Sequence, residues 1–430
     1  MTQFYNFASA DNLLEVFQLA LQNDPQLKAA QAERSSANEY DAQTLAKLFP
    51  TVSIHSNIAK SSQDLRSREG LTNDSDELKL SIFTEFSLAL SLKQPLFNLP
   101  NLRNRKISVI QSVQAELHYR IAQEQLLFRV VEAYFNVLSS LEDLSFARAE
   151  KNAIARQLAR TKSRFKVGLI AVTDVHESQA RHDLAIAQEI KAESQLADQR
   201  ESLRVITGKL HNSLWALTED TPLIPPTPSN LNDWIEAARG QNLQIAAIKM
   251  QADILKQKIN VSRAEYYPTL DVNASYGFYE YGGAYGQRSL DGSISLDLNM
   301  IIFEGNILAS KIRQKTHDFE KLIQEIDQKE REVLQTTRSA YLGVLAGMSY
   351  VKALKQTLSS SNQALAATNA GFEVGSRSAI DVLNAQREMF RSQRDYAHAR
   401  YSYILDMLKL KVAVGLLSID DLEQINNWLR

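Results

Sequence analysis

Leu78-Lys79-Leu80-Ser81-Ile82-Phe83-Thr84-Glu85-Phe86-Ser87-Leu88-Ala89-Leu90-Ser91-Leu92-Lys93 is two interleaved series. Leu78, Leu80, Ile82, Phe86, Leu88, Leu90 and Leu92 fall on even positions, and Lys79, Ser81, Glu85, Ser87, Ser91 and Lys93 on odd ones. In an extended chain successive side chains point to opposite faces, so the stretch predicts a strand of roughly 15 residues with one oily and one wet face. The same alternation runs through Leu270, Val272, Ala274, Tyr276 and Phe278, and again through Ile294, Leu296, Leu298 and Met300; Val52 to Ile58 is a weaker fourth copy. A soluble antiparallel sheet lying on a core would alternate too. Strands in such sheets usually have about five or six residues, however, whereas a tilted crossing of a membrane takes about 9 to 11. Tyr276, Tyr279, Tyr281 and Tyr285 suit an aromatic girdle at the water interface. Four strands do not close a barrel, and lipid does not tolerate open strand edges, so a spanning barrel has to be assembled from several subunits.

The rest of the chain is helical and sparsely punctuated, with 15 Gly and 9 Pro in 430 residues. Asn101 to Val167 contains neither residue, and Leu127, Val131, Tyr134, Leu138 and Leu141 recur at spacings of four and three, as in a coiled-coil seam. A single helix of that length runs about 100 Å. After Gly168 an uninterrupted segment continues to Thr207, and Asn306 to Ala370 with Ser378 to Val414 repeats the plan. Each long helix thus has a shorter antiparallel partner, and Gln26 to Lys47 is placed to stack end to end on it.

The chain is internally repeated. Asn23-Asp24-Pro25-Gln26-Leu27 matches Gln241-Asn242-Leu243-Gln244-Ile245, and Leu48-Phe49-Pro50-Thr51-Val52 matches Tyr266-Tyr267-Pro268-Thr269-Leu270, both at an offset of 218. Ala133-Tyr134 and Phe165-Lys166-Val167-Gly168 match Ala340-Tyr341 and Phe372-Glu373-Val374-Gly375 at 207. The 11-residue difference is assigned to the polar stretch Ser61 to Asp76. Pro222, Pro225, Pro226 and Pro228 mark a linker between the halves. The expected organisation is a tail or export-signal remnant at 1–10, a first repeat at 11–209 (hairpin about 50–95, helix pair 98–207) and a linker at 210–230. A second repeat follows at 231–416 (hairpin about 268–303, helix pair 304–414), then a C-terminal segment at 417–430. Ala8-Ser9-Ala10 has the small-x-small form of a signal-peptidase site.

Composition removes several classes of function. With 48 basic against 50 acidic side chains, the charge balance disfavours binding nucleic acid by phosphate neutralisation. The absence of cysteine excludes disulfides, thiol catalysis, Cys-ligated zinc and a lipidated N-terminal cysteine. No apolar run reaches the roughly 18 residues of a membrane helix. The seven His show no HExxH spacing, and no GxSxG or phosphate-binding loop is present. Asp174, His176 and Glu177 lie within four residues but point to different sides of a helix, so no metal site, cofactor or catalytic residue is expected. A soluble coiled-coil scaffold remains as a second class; it explains the helices but not the long alternating strands.

The order helix, hairpin, long helix, Val-Gly turn, helix, given twice, carries a resemblance. With Ala133-Tyr134-Phe135-Asn136-Val137-Leu138, Arg164-Phe165-Lys166-Val167-Gly168-Leu169 and Gly371-Phe372-Glu373-Val374-Gly375-Ser376-Arg377, the chain resembles the TolC family of outer-membrane efflux channels. The resemblance implies a homotrimer of mixed α and β structure. Four strands per chain would form a 12-stranded barrel in outer-membrane lipid, continued by an α-helical barrel through the periplasm. The linker and the Ser418 to Leu422 segment would lie in an equatorial girdle.

It also implies the exit duct of a tripartite efflux or type I secretion system in a Gram-negative bacterium. Such a duct passes drugs, toxins or proteins from an inner-membrane pump or ABC exporter, through a periplasmic adaptor (membrane fusion) protein, and opens by untwisting of its helix tips. On this reading Val167, Gly168 and Leu169 with Val374, Gly375 and Ser376 are the adaptor-contact tips, though plain turn chemistry explains the glycines equally well. Asp381 and Asn384 form the pore constriction, with Asn384 where the family commonly has a second acid. A gating latch joins Arg377 to Thr173 and Asp174, with Phe372 where the family has a tyrosine.

Overall fold

A computed structural model describes residues 10–64, 80–218, 221–282 and 286–430. Residues 1–9 of the signal-like tail, most of the polar insertion, Leu78 and Tyr285 lie outside them. The chain divides into two compact units: one comprises Glu33–Glu116 and Ile248–Glu325, the other the remaining segments.

The first unit holds the strands. β1 (Thr51–Asp64), β2 (Leu80–Phe97), β3 (Thr269–Tyr281) and β4 (Gln287–Asn299) form one antiparallel sheet in that order. The register carries the alternation across all four. Ile54 opposes Leu90, Leu90 opposes Tyr276, and Phe278 stands between Leu88 and Leu290. A slip of one residue would move the leucines to the serine face, so the pattern sets the pairing. On the other face Ser53 Oγ lies 2.7 Å from Ser91 Oγ, Ser275 Oγ lies 2.8 Å from Ser293 Oγ, and Lys93 pairs with Asp271 at 2.9 Å. Expected as a weak strand ending near Ile58, β1 has 14 residues. Beyond Ile58 it is held by β2, Lys60 opposite Thr84 and Ser61 opposite Phe83, where its own sequence has lost the alternation.

The helices are α1 (Leu13–Asn23), α2 (Pro25–Ala46), α3 (Leu99–Lys166), α4 (Val172–Thr207), α5 (Leu231–Gln241), α6 (Leu243–Ala264), α7 (Ile307–Glu373), α8 (Ala379–Val414) and α9 (Ile419–Asn426). α3 starts earlier than Asn101, because Pro100 sits in the first turn, where a missing N–H costs nothing. Asn98 Oδ1 accepts from the Asn101 N–H at 3.0 Å there. α7 runs three residues beyond Ala370, to Glu373.

In the second unit Leu127, Val131, Tyr134 and Leu138 are buried, with Leu141 packed against them. Around this seam gather Phe17 of α1, Trp234 of α5, Ile404 and Leu408 of α8, and Leu422 and Ile425 of α9. The linker is pinned by tyrosine hydroxyls. Tyr134 donates to Trp215 O at 2.9 Å and Tyr403 to Ile224 O at 2.6 Å, while Tyr341, the repeat partner of Tyr134, donates to Ser229 O. Bridges Asp11–Leu214 and Leu217–Leu429 add the two chain ends to this layer.

The first pair of matched pentapeptides, 23–27 and 241–245, prove to be helix junctions. Asp24 Oδ2 caps α2 by accepting from the Leu27 N–H at 2.8 Å, and Asn242 Oδ1 caps α6 by accepting from the Gln244 and Ile245 N–H groups at 3.0 and 3.1 Å. Asn23 Nδ2 donates to Thr207 O at 3.0 Å and Asn242 Nδ2 to Ala413 O at 2.9 Å, so α4 ends at the α1–α2 junction and α8 at the α5–α6 junction.

Candidate functional site

The α3–α4 and α7–α8 turns are built alike. At the first, the Leu169 N–H donates to Arg164 O at 3.0 Å and the Gly168 N–H to Phe165 O at 2.9 Å; at the second, the Ser376 N–H donates to Gly371 O at 2.9 Å and the Gly375 N–H to Phe372 O at 3.2 Å. This six-to-one, five-to-two pattern needs a left-handed residue, and Gly168 and Gly375 supply φ of 77° and 80°. Nothing lies within 4 Å of an added Cβ at either glycine, so backbone conformation and not space requires them. Val167, Leu169 and Val374 are exposed beside them, Val374 at 80%. These are apolar ends without a partner in the single chain.

α8 begins with a capping box. Ser378 Oγ accepts from the Asp381 N–H at 3.2 Å, and the Asp381 carboxylate accepts from the Ser378 N–H and hydroxyl, each at 3.0 Å. Those donors, aided by the Arg377 charge, hold Asp381 below the usual carboxylate range. Asn384 follows three residues later, half-buried like Asp381. In the first repeat Ala171 and Asp174 occupy the corresponding positions, 207 residues earlier, and Ala171 supplies no side-chain cap. Asp174 is half-buried and Thr173 exposed. Among the described residues the Asp174 side chain has no hydrogen-bond or ion-pair partner, and Arg377 does not reach it within one chain. Arg377 instead stays on its own helix pair: its N–H donates to Gly371 O at 3.2 Å, and its Cγ lies 2.8 Å from where a Gly371 Cβ would stand.

Phe372, 5% exposed, packs with Ala379 and Val382. Over its ring lies a residue that the sequence reading quoted but gave no role, Arg164 at the end of α3. The only signal was its repeat partner: Gly371 stands 207 residues on, so the two tips differ there. Farther along the helices, Glu150 is buried beside a cavity of about 30 Å³ lined also by Arg181 and Arg387, and burial pushes its carboxyl up.

A second polar cluster ties α3 to α8. His398 Nδ1 lies 3.0 Å from Ser139 Oγ, and its Nε2 lies 2.9 Å from Asp143 Oδ1; Tyr401 donates to Glu142 at 2.7 Å. The trio has the composition of a nucleophilic triad, but Ser139 sits inside a 68-residue helix whose N–H groups are already bonded, leaving no oxyanion donors. Its chemistry is that of a bridge. Asp143 raises His398 above its ordinary value against the opposing cost of half-burial. A raised histidine stabilises the fold fully below about pH 6.5, and that contribution disappears as pH climbs through the raised value. The thermal midpoint of the purified protein is therefore expected to fall from pH 6 to 9 more steeply than that of His398→Asn; parallel curves would remove the bridge from the stability of the α3–α8 contact.

Among the described residues no group of three His, Asp or Glu is placed to hold a metal, and no helix is long and apolar enough to cross a membrane. His176 is exposed, and Glu177 lies 3.9 Å from Arg181.

Residues 16–209 and 234–416 match the family described as outer membrane efflux protein. The chain belongs to the outer membrane efflux protein family. It is 32% identical to the outer membrane protein TolC of Vibrio cholerae, over 98% of this chain and 94% of that one. It is 30% identical to the alkaline protease secretion protein AprF of Pseudomonas aeruginosa, over 97% and 87%. The fold matches the Campylobacter jejuni CmeC outer membrane channel with a TM-score of 0.78 at 15% identity, over 98% and 90%.

The outer membrane efflux protein architecture accounts for both faces of the sheet. Four strands from each of three chains close a 12-stranded barrel, so the leucine face meets lipid and the serine face meets water. The protein is an outer-membrane exit duct for efflux and secretion, extending into the periplasm, and its family is one of channels and not of enzymes.

Proposed function

We propose that the helix ends around Gly168 and Gly375 are the gate and the docking ring of this duct. They meet a periplasmic adaptor that links it to an inner-membrane pump or ABC exporter. Drugs, toxins or proteins pass when the tips untwist. The observation that carries this reading is the pair of capped turns whose apolar residues Val167, Leu169 and Val374 stand exposed, the second turn leading into the charged start of α8. On this reading Asp381 faces the axis with Asn384, giving three carboxylates per trimer where a second acidic position would give six. Such a ring favours cations while trapping multivalent ones weakly. The latch of Arg377 with Thr173 and Asp174 forms between neighbouring copies, a role supported by the unengaged Asp174 carboxylate and by the anchoring of Arg377 on its own turn. An exposed pair of this kind is worth about 0–1 kcal/mol, an amount that adaptor binding can overcome.

In planar bilayers Asp381→Ala is expected to shift the reversal potential under a salt gradient toward zero, with cation preference falling several-fold. An unchanged reversal potential would take Asp381 out of the pore.

A further inference from the structure

Arg164 and Phe372 belong to different repeats and are 208 residues apart. The Arg164 guanidinium carbon lies 4.1 Å from the centre of the Phe372 ring, and its Nη1 donates to Phe372 O at 3.3 Å. That carbonyl lies in the last turn of α7, where it also accepts from the Gly375 N–H at 3.2 Å and where the helix end carries partial negative charge that favours a cation. One side chain thus serves the ring face and the backbone end of the neighbouring helix. Among the described residues Arg164 has no carboxylate within 4.0 Å, so its charge is directed to Phe372. The ring is buried in a cluster with Ala379 and Val382, which restricts its movement.

We propose that Arg164 seated on Phe372 is the clasp that keeps the end of α3 against the end of α7 in the closed duct, so that opening requires this cation to leave the ring. The inference rests on the reading of the tips as the gate. It differs from the Arg377 latch in being made within one chain and in needing no carboxylate. A partly desolvated cation on a ring is worth roughly fivefold in the ratio of closed to open per clasp, and on the order of a hundredfold for three clasps opening together. The aromatic face and the planar guanidinium are both required. Leucine keeps the apolar volume without the quadrupole, and lysine keeps the charge without the flat stack and the forked donors.

The test is single-channel recording of the purified full-length trimer in planar bilayers, each variant first checked for a heat-stable trimer. Arg164→Ala and Phe372→Leu are expected to raise conductance or open time strongly, and Arg164→Lys to lie between these and the parent. Phe372→Tyr, which keeps the ring, is expected to be at least as closed as the parent. Phe372→Leu as closed as the parent would overturn the clasp, and so would Arg164→Ala matching the parent while Arg377→Ala opens the channel; the gate reading would survive both. Parental conductance in Arg164→Ala, Arg377→Ala and Asp174→Ala alike would overturn the gate reading and the clasp with it. If Arg164→Ala does not assemble, Arg164→Lys and Phe372→Leu decide by the same criteria.

Discussion

Asp24→Ala is expected to destabilise the fold by about 3–5 kcal/mol and to lower the thermal midpoint of the solubilised trimer by roughly 5–10 °C. Asp24 is 1% exposed and is gripped by both arms of Arg129, Nη1 to Oδ1 at 3.1 Å and Nη2 to Oδ2 at 2.8 Å, while it also caps α2. Its removal leaves a guanidinium facing no charge and a helix start without its acceptor, the situation in which a buried pair costs most. At the same junction the second repeat has two uncharged residues, Asn242 for Asp24 and Thr336 for Arg129, both lining a cavity of about 520 Å³. Writing that solution into the first repeat, Asp24→Asn with Arg129→Thr, is expected to recover much of the loss, with a coupling of about 2 kcal/mol in the double-mutant cycle. Simple additivity of the two single changes would show that the pair is not the source of the stability.

Ile294→Arg is expected to cost about 2–4 kcal/mol in each copy, enough across three copies to prevent a stable barrel. Ile294 is 83% exposed in the single chain and opposes Ala274 on the leucine face, so in the trimer a charge there would stand in lipid. Ser293→Arg, one residue away on the serine face, puts the same charge in water and is expected to leave the trimer intact while shifting ion preference toward anions. The measurement is the heat-stable trimer band in outer-membrane extracts, followed by bilayer recording of the survivor. Equal assembly of the two variants would reverse the assignment of the faces or abolish it.

Much of this was legible before any fold was seen. Alternation in Leu80 to Leu92 and in Ile294 to Met300 set the strand faces, and the glycine-free run after Asn101 set a helix that Pro100 then extends backwards. Gly168 and Gly375 announced turns whose φ values require glycine. The site was legible only in part. Phe372 and Asp381 could be placed near the tips, but the Ser378 partner of Asp381 and the Arg164 partner of Phe372 could not be assigned. The length of β1 was missed as well, since its last residues owe their conformation to β2.

The division has a physical cause. Periodicity records the average environment of each residue along one element, and a strand or helix imposes it at every second or at alternating third and fourth positions; the sequence by itself therefore determined the elements, their oily faces, the repeat and the need for partner subunits. A polar contact depends instead on which remote segments approach at hydrogen-bond distance, and any arginine is chemically able to meet many acids, carbonyls or rings. Asp24 with Arg129 across 105 residues, Arg164 with Phe372 across 208 and His398 with Asp143 across 255 were decided by tertiary structure alone, because packing of the apolar seams brings those positions together and no local pattern encodes the choice.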